Sequence, residues 1–295
     1  MGVESQHREV RLAEGRVLEV VDTGGEGRPV ILIHHGTPGG ADLFAGWVAD
    51  AERRGVRLIG YARPGYRGSS REAGRSVSGA AADVRAIAEA LGIRRLATYG
   101  FSGGGPHALA CAALLPDLVA AAAALASVAP YGAEGLDYLE GMGEGNVEEF
   151  KTVLQGGEPA LRAGYAKLAA NPPTDVEQLL GEMSSILSPP DREVIRRTLG
   201  HWMLDGMGDA LRQGLDGWVD DDLAFVKPWG FEVSAIRVPL QLWQGEQDLM
   251  VPAGHGRWLA SQLPRAEWTQ LPEAGHLTLL VDQVPAVHAW LLERL

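Results

Sequence analysis

The segment Arg95–Leu115, RLATYGFSGGGPHALACAALL, most narrows what this chain can fold into. Arg95–Tyr99 is a short run that reads as a buried strand, and Gly103–Leu115 is apolar at helical length. Pro106 falls in the first turn of that helix, where a missing N–H costs nothing. Only a tight glycine turn separates the two elements. A strand that hands over directly to a helix is the repeating unit of a parallel sheet covered by helices.

The rest of the chain repeats that unit. Val10–Leu12 and Val17–Val21 read as an antiparallel hairpin about the turn Glu14-Gly15. Val30–Ile33 is a continuous apolar run that ends in the loop HHGTPGG, as in a buried parallel strand. Helical spacing follows over Ala41–Arg54, a second buried strand in VRLIGYARPG, and a second helix over Ser78–Leu91 with Ser78 as N-cap. Ala120–Ser127 is expected as a strand although alanine favours helix. Pro239–Gly245 and Glu267–Leu271 supply further strands, and Val284–Leu295 a closing helix.

From Tyr131 to about Phe231 no strand pattern is present, while Glu, Leu, Met and Ala recur at helical spacing. Asn171-Pro172-Pro173 and Ser188-Pro189-Pro190-Asp191 mark helix boundaries there. The expectation is an α/β fold: a mostly parallel twisted sheet flanked by helices, built from residues 1–130 and 232–295. A mainly helical insertion, residues 131–231, would form a cap over it.

Composition excludes several function classes. A formal charge of −12 over 295 residues argues against nucleic acid, whose phosphates need clustered Lys and Arg. The single cysteine, Cys111, excludes a disulfide framework and fits a reducing cytoplasm; its apolar neighbours make it a buried helical residue. The opening MGVESQHREVRLAEG lacks the apolar core of a secretory signal. The run Leu118–Ala129 is too short to span a bilayer. A cytoplasmic protein without membrane or nucleic-acid partners is expected. No HExxH or CxxC spacing occurs, so neither metal nor cofactor is expected. Composition leaves the oligomeric state open.

The glycine turn admits two chemistries. Gly103, Gly105 and Ala108 fit the G-x-G-x-x-G/A loop that cradles a dinucleotide pyrophosphate. Gly100, Ser102 and Gly104 fit the G-x-S-x-G turn that presents a nucleophilic serine. The first needs an acidic residue about 20 positions on to hold a ribose hydroxyl. That region is AAAALASV, without an acid. The second needs an imidazole to take the serine proton and a carboxylate to orient it, in the order serine, acid, histidine. Asp248 follows the strand in LWQGEQD, and His276 follows the next one in LPEAGH. Both lie at carboxyl ends of parallel strands, the edge where open α/β sheets place their sites. The backbone N–H groups of Gly103 and Thr37 would hold the oxyanion.

Several motifs carry a family resemblance: His35-Gly36-Thr37-Pro38-Gly39, the segment Tyr61–Ser70, Gly100–Gly104, Gly245 with Asp248, and Gly275-His276. On these the chain resembles the α/β-hydrolase superfamily over nearly its whole length. HGxPG and RPGYxGSS are similar to the proline iminopeptidase-like and epoxide-hydrolase-like branches. Epoxide hydrolases carry Asp where this chain has Ser102, so likeness to them implies the fold alone. The iminopeptidase loop normally has a second glycine where Thr37 stands.

Other residues have quieter readings. His34, His35 and His107 are expected to tie or pack loops, and Ser69 and Ser70 to make loop hydrogen bonds. His255 precedes a helix, and with His288 it is a weaker base than His276. Glu246 should point away from the site. Trp202, Trp218 and Trp229 line an acyl pocket or pack the cap, and Glu134, Glu140, Glu144, Glu148 and Glu149 hold a substrate amine, as an aminopeptidase needs, or, as the favoured reading, form a solvated helical face. The sequence thus predicts a serine hydrolase acting on a small carboxylic ester, lactone or thioester. A proline iminopeptidase-type aminopeptidase and a non-catalytic ligand-binding protein on the same fold stand as alternatives.

Overall fold

A computed structural model describes residues 5–211 and 214–295. Its framework is an eight-stranded sheet: β1 (Gln6–Arg11), β2 (Val17–Asp22), β3 (Val30–His34), β4 (Arg57–Tyr61), β5 (Leu96–Phe101), β6 (Val119–Leu125), β7 (Leu240–Gly245) and β8 (Glu267–Leu271). The spatial order is β1-β2-β4-β3-β5-β6-β7-β8; β2 runs antiparallel to both of its neighbours, β1 and β4, and the pairings from β4 to β8 are all parallel. Helices α1 (Ala45–Arg53), α2 (Gly79–Ala90) and α3 (Gly105–Leu114) connect the first parallel strands. After β7 come α9 (Ala253–Gln262), α10 (Thr278–Asp282) and α11 (Val284–Leu292).

Alternation along the strands divides the core in two. Ile31, Ile33, Ala97 and Tyr99 face Trp47 and Ala51 of α1 and Val287 and Leu291 of α11. Their neighbours Val30, Leu32 and Leu96 face Val84 and Ile87 of α2 and Leu109 of α3. Burial on both faces is why these strands read as unbroken apolar runs. The strand β6 is five alanines between Val119 and Leu125, nearly all buried. Its propensity favours helix, but small side chains let α3 and α11 pack closely on either face, and that packing wins.

Between β6 and β7, residues 126–239 hold α4 (Glu144–Ala170), α5 (Val176–Glu182), α6 (Pro189–Val194), α7 (Gly200–Ala210) and α8 (Asp216–Phe225), and no strand among the described residues. Asp175 caps α5, its side chain accepting from Gln178 N. Ser78 does not cap α2: its own backbone is already helical, and its hydroxyl pairs with that of Ser76 at 2.7 Å. His255 lies inside α9 rather than before it. Among the described residues no helix is long and apolar enough to cross a membrane.

Burial also fixes the state of several histidines. Desolvation drives His34, at the end of β3, down to about 3, and His255 and His288 down to about 4. These folded values lie below the ordinary 6.5, so the unfolded chain takes up protons first as pH falls. The stability carried by the neutral rings is complete above 6.5 and is lost as pH falls toward the folded values. Each fully responding ring contributes about 1.4 kcal/mol per pH unit. Between pH 7 and pH 5 these rings are therefore expected to lower the urea midpoint, opposed by the Asp83 and Glu149 carboxyls, which burial raises to about 6 and about 7. The share of one ring is read as the difference in pH dependence between the native protein and His288→Asn; an identical pH dependence in the two would contradict this account.

Candidate active site

The turn after β5 carries a backbone that L residues seldom adopt. Ser102 has φ +55°, in the left-handed region, and so stands clear of the sheet between strand and helix. Such a conformation costs about 1–3 kcal/mol and persists only where surrounding structure enforces it. The enforcement is visible at Gly100, where an added Cβ would lie 2.0 Å from Gly104 O. Only glycine allows the turn to close that tightly.

Asp248 and His276 meet beside it. Asp248, in the loop after β7, is buried; its Oδ1 accepts from Met250 N (2.9 Å) and Val251 N (2.8 Å). Its Oδ2 accepts from Gln244 Nε2 (3.1 Å) and from His276 Nδ1 (2.7 Å). Burial pushes the Asp248 carboxyl above its ordinary value, while His276 and the Val251 N–H hold it down. Because Asp248 occupies Nδ1, Nε2 is the nitrogen of His276 left for the cavity side. The Phe101 ring packs on the imidazole at 4.6 Å between centroids. Glu246 points elsewhere, as expected: it accepts from Gln270 Nε2 (2.7 Å) and lies beside Arg257.

Ser102 and His276 line one cavity of about 170 Å³, whose walls include Phe101, Trp202, Met203 and Leu277. A second cavity, of about 310 Å³, also reaches the serine and includes Gly103, Trp218 and Phe225. The two share Thr37, Pro38, Ser102, Met183, Met207 and Met250. Thr37 and Gly103 are neighbours: a Cβ on Gly103 would lie 2.3 Å from Thr37 Oγ1.

The loop bearing Thr37 is held from beneath by a buried polar network. Arg63 donates to His35 O (2.5 Å) and Gly36 O (2.9 Å), fixing those carbonyls. Asp221, on α8, accepts from Thr37 Oγ1 (2.7 Å), Arg63 Nη2 (2.6 Å), Tyr66 Oη (2.9 Å) and Arg75 Nη2 (2.5 Å). The two guanidiniums hold the Asp221 carboxyl well below the usual carboxylate range despite its burial. His35 ties the loop from the side, accepting from Arg63 N at Nε2 (3.1 Å).

The quieter residues mostly fall as expected. Ser69 Oγ donates to Ala62 O (2.6 Å) and accepts from Glu19 N (2.9 Å), and Ser70 Oγ accepts from Val17 N (3.0 Å). His107 is buried against Gly103 O (2.8 Å), and Cys111 is buried in α3. Trp202 and Trp218 line the cavities, whereas Trp229 stacks on Phe231. Glu149 departs from the favoured expectation: it is half-buried and lines the second cavity, next to the buried Phe150.

An eight-stranded, mostly parallel sheet with a strained serine between strand and helix defines a class: α/β proteins whose sites lie on the carboxyl edge of the sheet. The chain belongs to the α/β-hydrolase family and is a hydrolase: the family model described as "alpha/beta hydrolase fold" matches residues 29–283. It is 27% identical over 272 residues to a pimeloyl-[acyl-carrier protein] methyl ester esterase of Chromobacterium violaceum, covering 91% of this chain and 95% of that protein. It is also 27% identical over 233 residues to a non-heme haloperoxidase of Rhodococcus erythropolis, covering 77% of each. An α/β-hydrolase fold protein from Chitinophaga pinensis superposes with a TM-score of 0.72 at 20% identity, covering 98% of both chains.

Asp221 was not singled out from sequence. It sits in the acidic run Asp220-Asp221-Asp222, and all three are buried. Arg71 pairs with Asp220, Arg63 and Arg75 with Asp221, and Tyr165 donates to Asp222. Asp221→Ala would leave two buried guanidiniums short of their carboxylate, which typically costs about 3–5 kcal/mol. Urea denaturation is expected to show that loss. A change within about 1 kcal/mol would mean that the network does not hold the loop.

Proposed function

We propose that this hydrolase cleaves a small ester-like substrate, a carboxylic ester, lactone or thioester, through an acyl-enzyme. One observation carries the reading: the hydrogen-bonded Asp248–His276 pair stands on the wall of the cavity that the strained Ser102 also lines. Ester hydrolysis in a relative 27% identical supports it.

In this scheme Ser102 Oγ attacks the substrate carbonyl while His276 Nε2 takes its proton. The imidazolium is stabilised by Asp248 through Nδ1. The developing oxyanion takes hydrogen bonds from the backbone N–H groups of Gly103 and Thr37, the former aided by the dipole of the helix it opens. The tetrahedral adduct collapses as His276 returns the proton to the leaving alcohol or thiol. Water, deprotonated by the same histidine, then attacks the acyl carbon; collapse of the second adduct frees the acid and restores Ser102. The scheme uses no cofactor.

The helices of residues 131–231 act in this proposal as a cap. Met203 and Met207 of α7, Met183 after α5 and Trp218 of α8 form walls of the two cavities, so this segment sets which acyl and leaving groups fit. The substrate is then a small molecule held in a largely apolar space, with no nucleic acid or membrane involved. Ser102→Ala is expected to lower kcat for a short p-nitrophenyl ester by about 10⁴–10⁶-fold with the fold intact, and to abolish labelling by a fluorophosphonate probe. Undiminished turnover by that variant would overturn the mechanism. Absence of labelling in the native protein would favour the ligand-binding alternative.

A second reading, aminopeptidase action, has one observation in its favour. Glu149 and Asp222 both line the second cavity with Ser102, and among the described residues no basic side chain does. Burial raises the Glu149 carboxyl to about 7, and burial with repulsion from Glu149 pushes Asp222 well up. A substrate ammonium would replace the proton that such a pair retains. Under this reading Glu149→Gln lowers kcat/KM for a prolyl amide about 100-fold and leaves p-nitrophenyl acetate unaffected. Failure of the native protein to cleave the amide would eliminate it.

A further inference from the structure

The loop that carries His276 lacks an anchor of its own. Its sequence, Gly275-His276-Leu277-Thr278, leads into α10, whose N-cap position is Leu277, a residue with no acceptor to offer the first N–H groups of the helix. Such donors need a partner when buried. The partner comes from 85 residues upstream, at the start of α6: Asp191 Oδ2 accepts from His276 N (3.0 Å). Its Oδ1 accepts from Leu277 N (2.7 Å) and more weakly from Thr278 N (3.3 Å). Ser188 Oγ, at the N-cap of α6, donates to Oδ2 (2.7 Å).

The fit admits no slack. Asp191 is fully buried, and a Cβ on Gly275 would stand 2.4 Å from its Oδ2 and 2.4 Å from Ser188 Oγ. Both carboxylate oxygens are therefore filled by donors in fixed directions, three of them backbone groups of the loop itself. Asp248 grips His276 by its ring, and Asp191 grips it by its main chain. With the ring tethered at Nδ1 and the backbone at N, the direction of Nε2 is settled from two sides. Asp191 also lies within the helical segment, whereas His276 follows β8, so the grip crosses from one to the other.

We propose that Asp191 is a positioning residue for the catalytic base: by accepting from the main chain of His276 and Leu277, it makes the cap segment part of the machinery that aims the imidazole. The inference rests on the triad reading of the function given above. It differs from a packing role in what its loss does. A base displaced by about 1 Å can cost about 100-fold in rate with little change in binding.

The test uses Asp191→Ala and Asp191→Asn in the full chain, with active sites counted by fluorophosphonate titration. Per titrated site, kcat for a p-nitrophenyl ester is expected to fall about 10–100-fold in Asp191→Ala, with KM within about twofold. Asp191→Asn, which retains one acceptor oxygen, should fall between that variant and the native protein. Gly275→Ala provides a second route to the same result if Asp191→Ala does not fold, since its methyl group would push against Asp191 Oδ2. Native kcat per titrated site in folded Asp191→Asn and Gly275→Ala would overturn the proposal, as would losses confined to KM or to thermal stability. If the native protein neither turns over esters nor reacts with the probe, the triad reading itself fails, a result distinct from either.

Discussion

The carboxyl edge of this sheet depends on how one buried negative charge is neutralised. Asp221 has no exposure and would be costly to bury alone, yet it lies between two arginines and two hydroxyls that satisfy it completely. The consequence reaches beyond charge. Arg63, anchored by Asp221, has its remaining donors aimed at the carbonyls of His35 and Gly36. The same carboxylate fixes Thr37 through its hydroxyl, so one residue of α8 orients both the carbonyls and the threonine of the loop beside Ser102. Removing any one partner leaves the others buried without compensation, which is how such a network enforces a single loop geometry.

What was legible in the sequence follows from the range of the interactions involved. Strands buried on both faces declare themselves as apolar runs, and β3, β4 and β5 stand where those runs predicted. The strained turn was legible because it needs glycine at fixed offsets, and glycine is visible in a sequence. Asp248 and His276, which the structure pairs, were singled out through chain order and strand ends, which are properties of the sheet rather than of their neighbours. Asp191 and Asp221 escaped because their partners lie 85 and 158 residues away and no local pattern records that pairing. Asp191 presented itself as the end of a helix-start motif, and Asp221 as the middle of an acidic run. Glu149 was misread for a related reason. Which side of a long helix faces inward is set by what packs on it, and α4 carries too weak an apolar stripe to say.

A second Asp–His pair in the molecule shows what the candidate site adds to the bare dyad. His288 Nδ1 pairs with Asp50 Oδ2 at 3.0 Å, a geometry close to that of His276 and Asp248. Both histidines are buried, and both carboxylates are engaged by further donors. Yet His288 faces the Tyr99 ring, its Nε2 has no partner, and it lines neither of the two cavities beside the serine. It can orient nothing but itself, and desolvation keeps it neutral down to about 4. His276 differs in position rather than in pairing, since it sits past the carboxyl end of β8 and shares a cavity with Ser102. Its main chain is also tied by Asp191, whereas His288 rests within the regular hydrogen bonding of α11. An imidazole–carboxylate pair is thus common structural material in this fold. It becomes a candidate base only where the sheet edge supplies a nucleophile and the helices above leave a space for substrate.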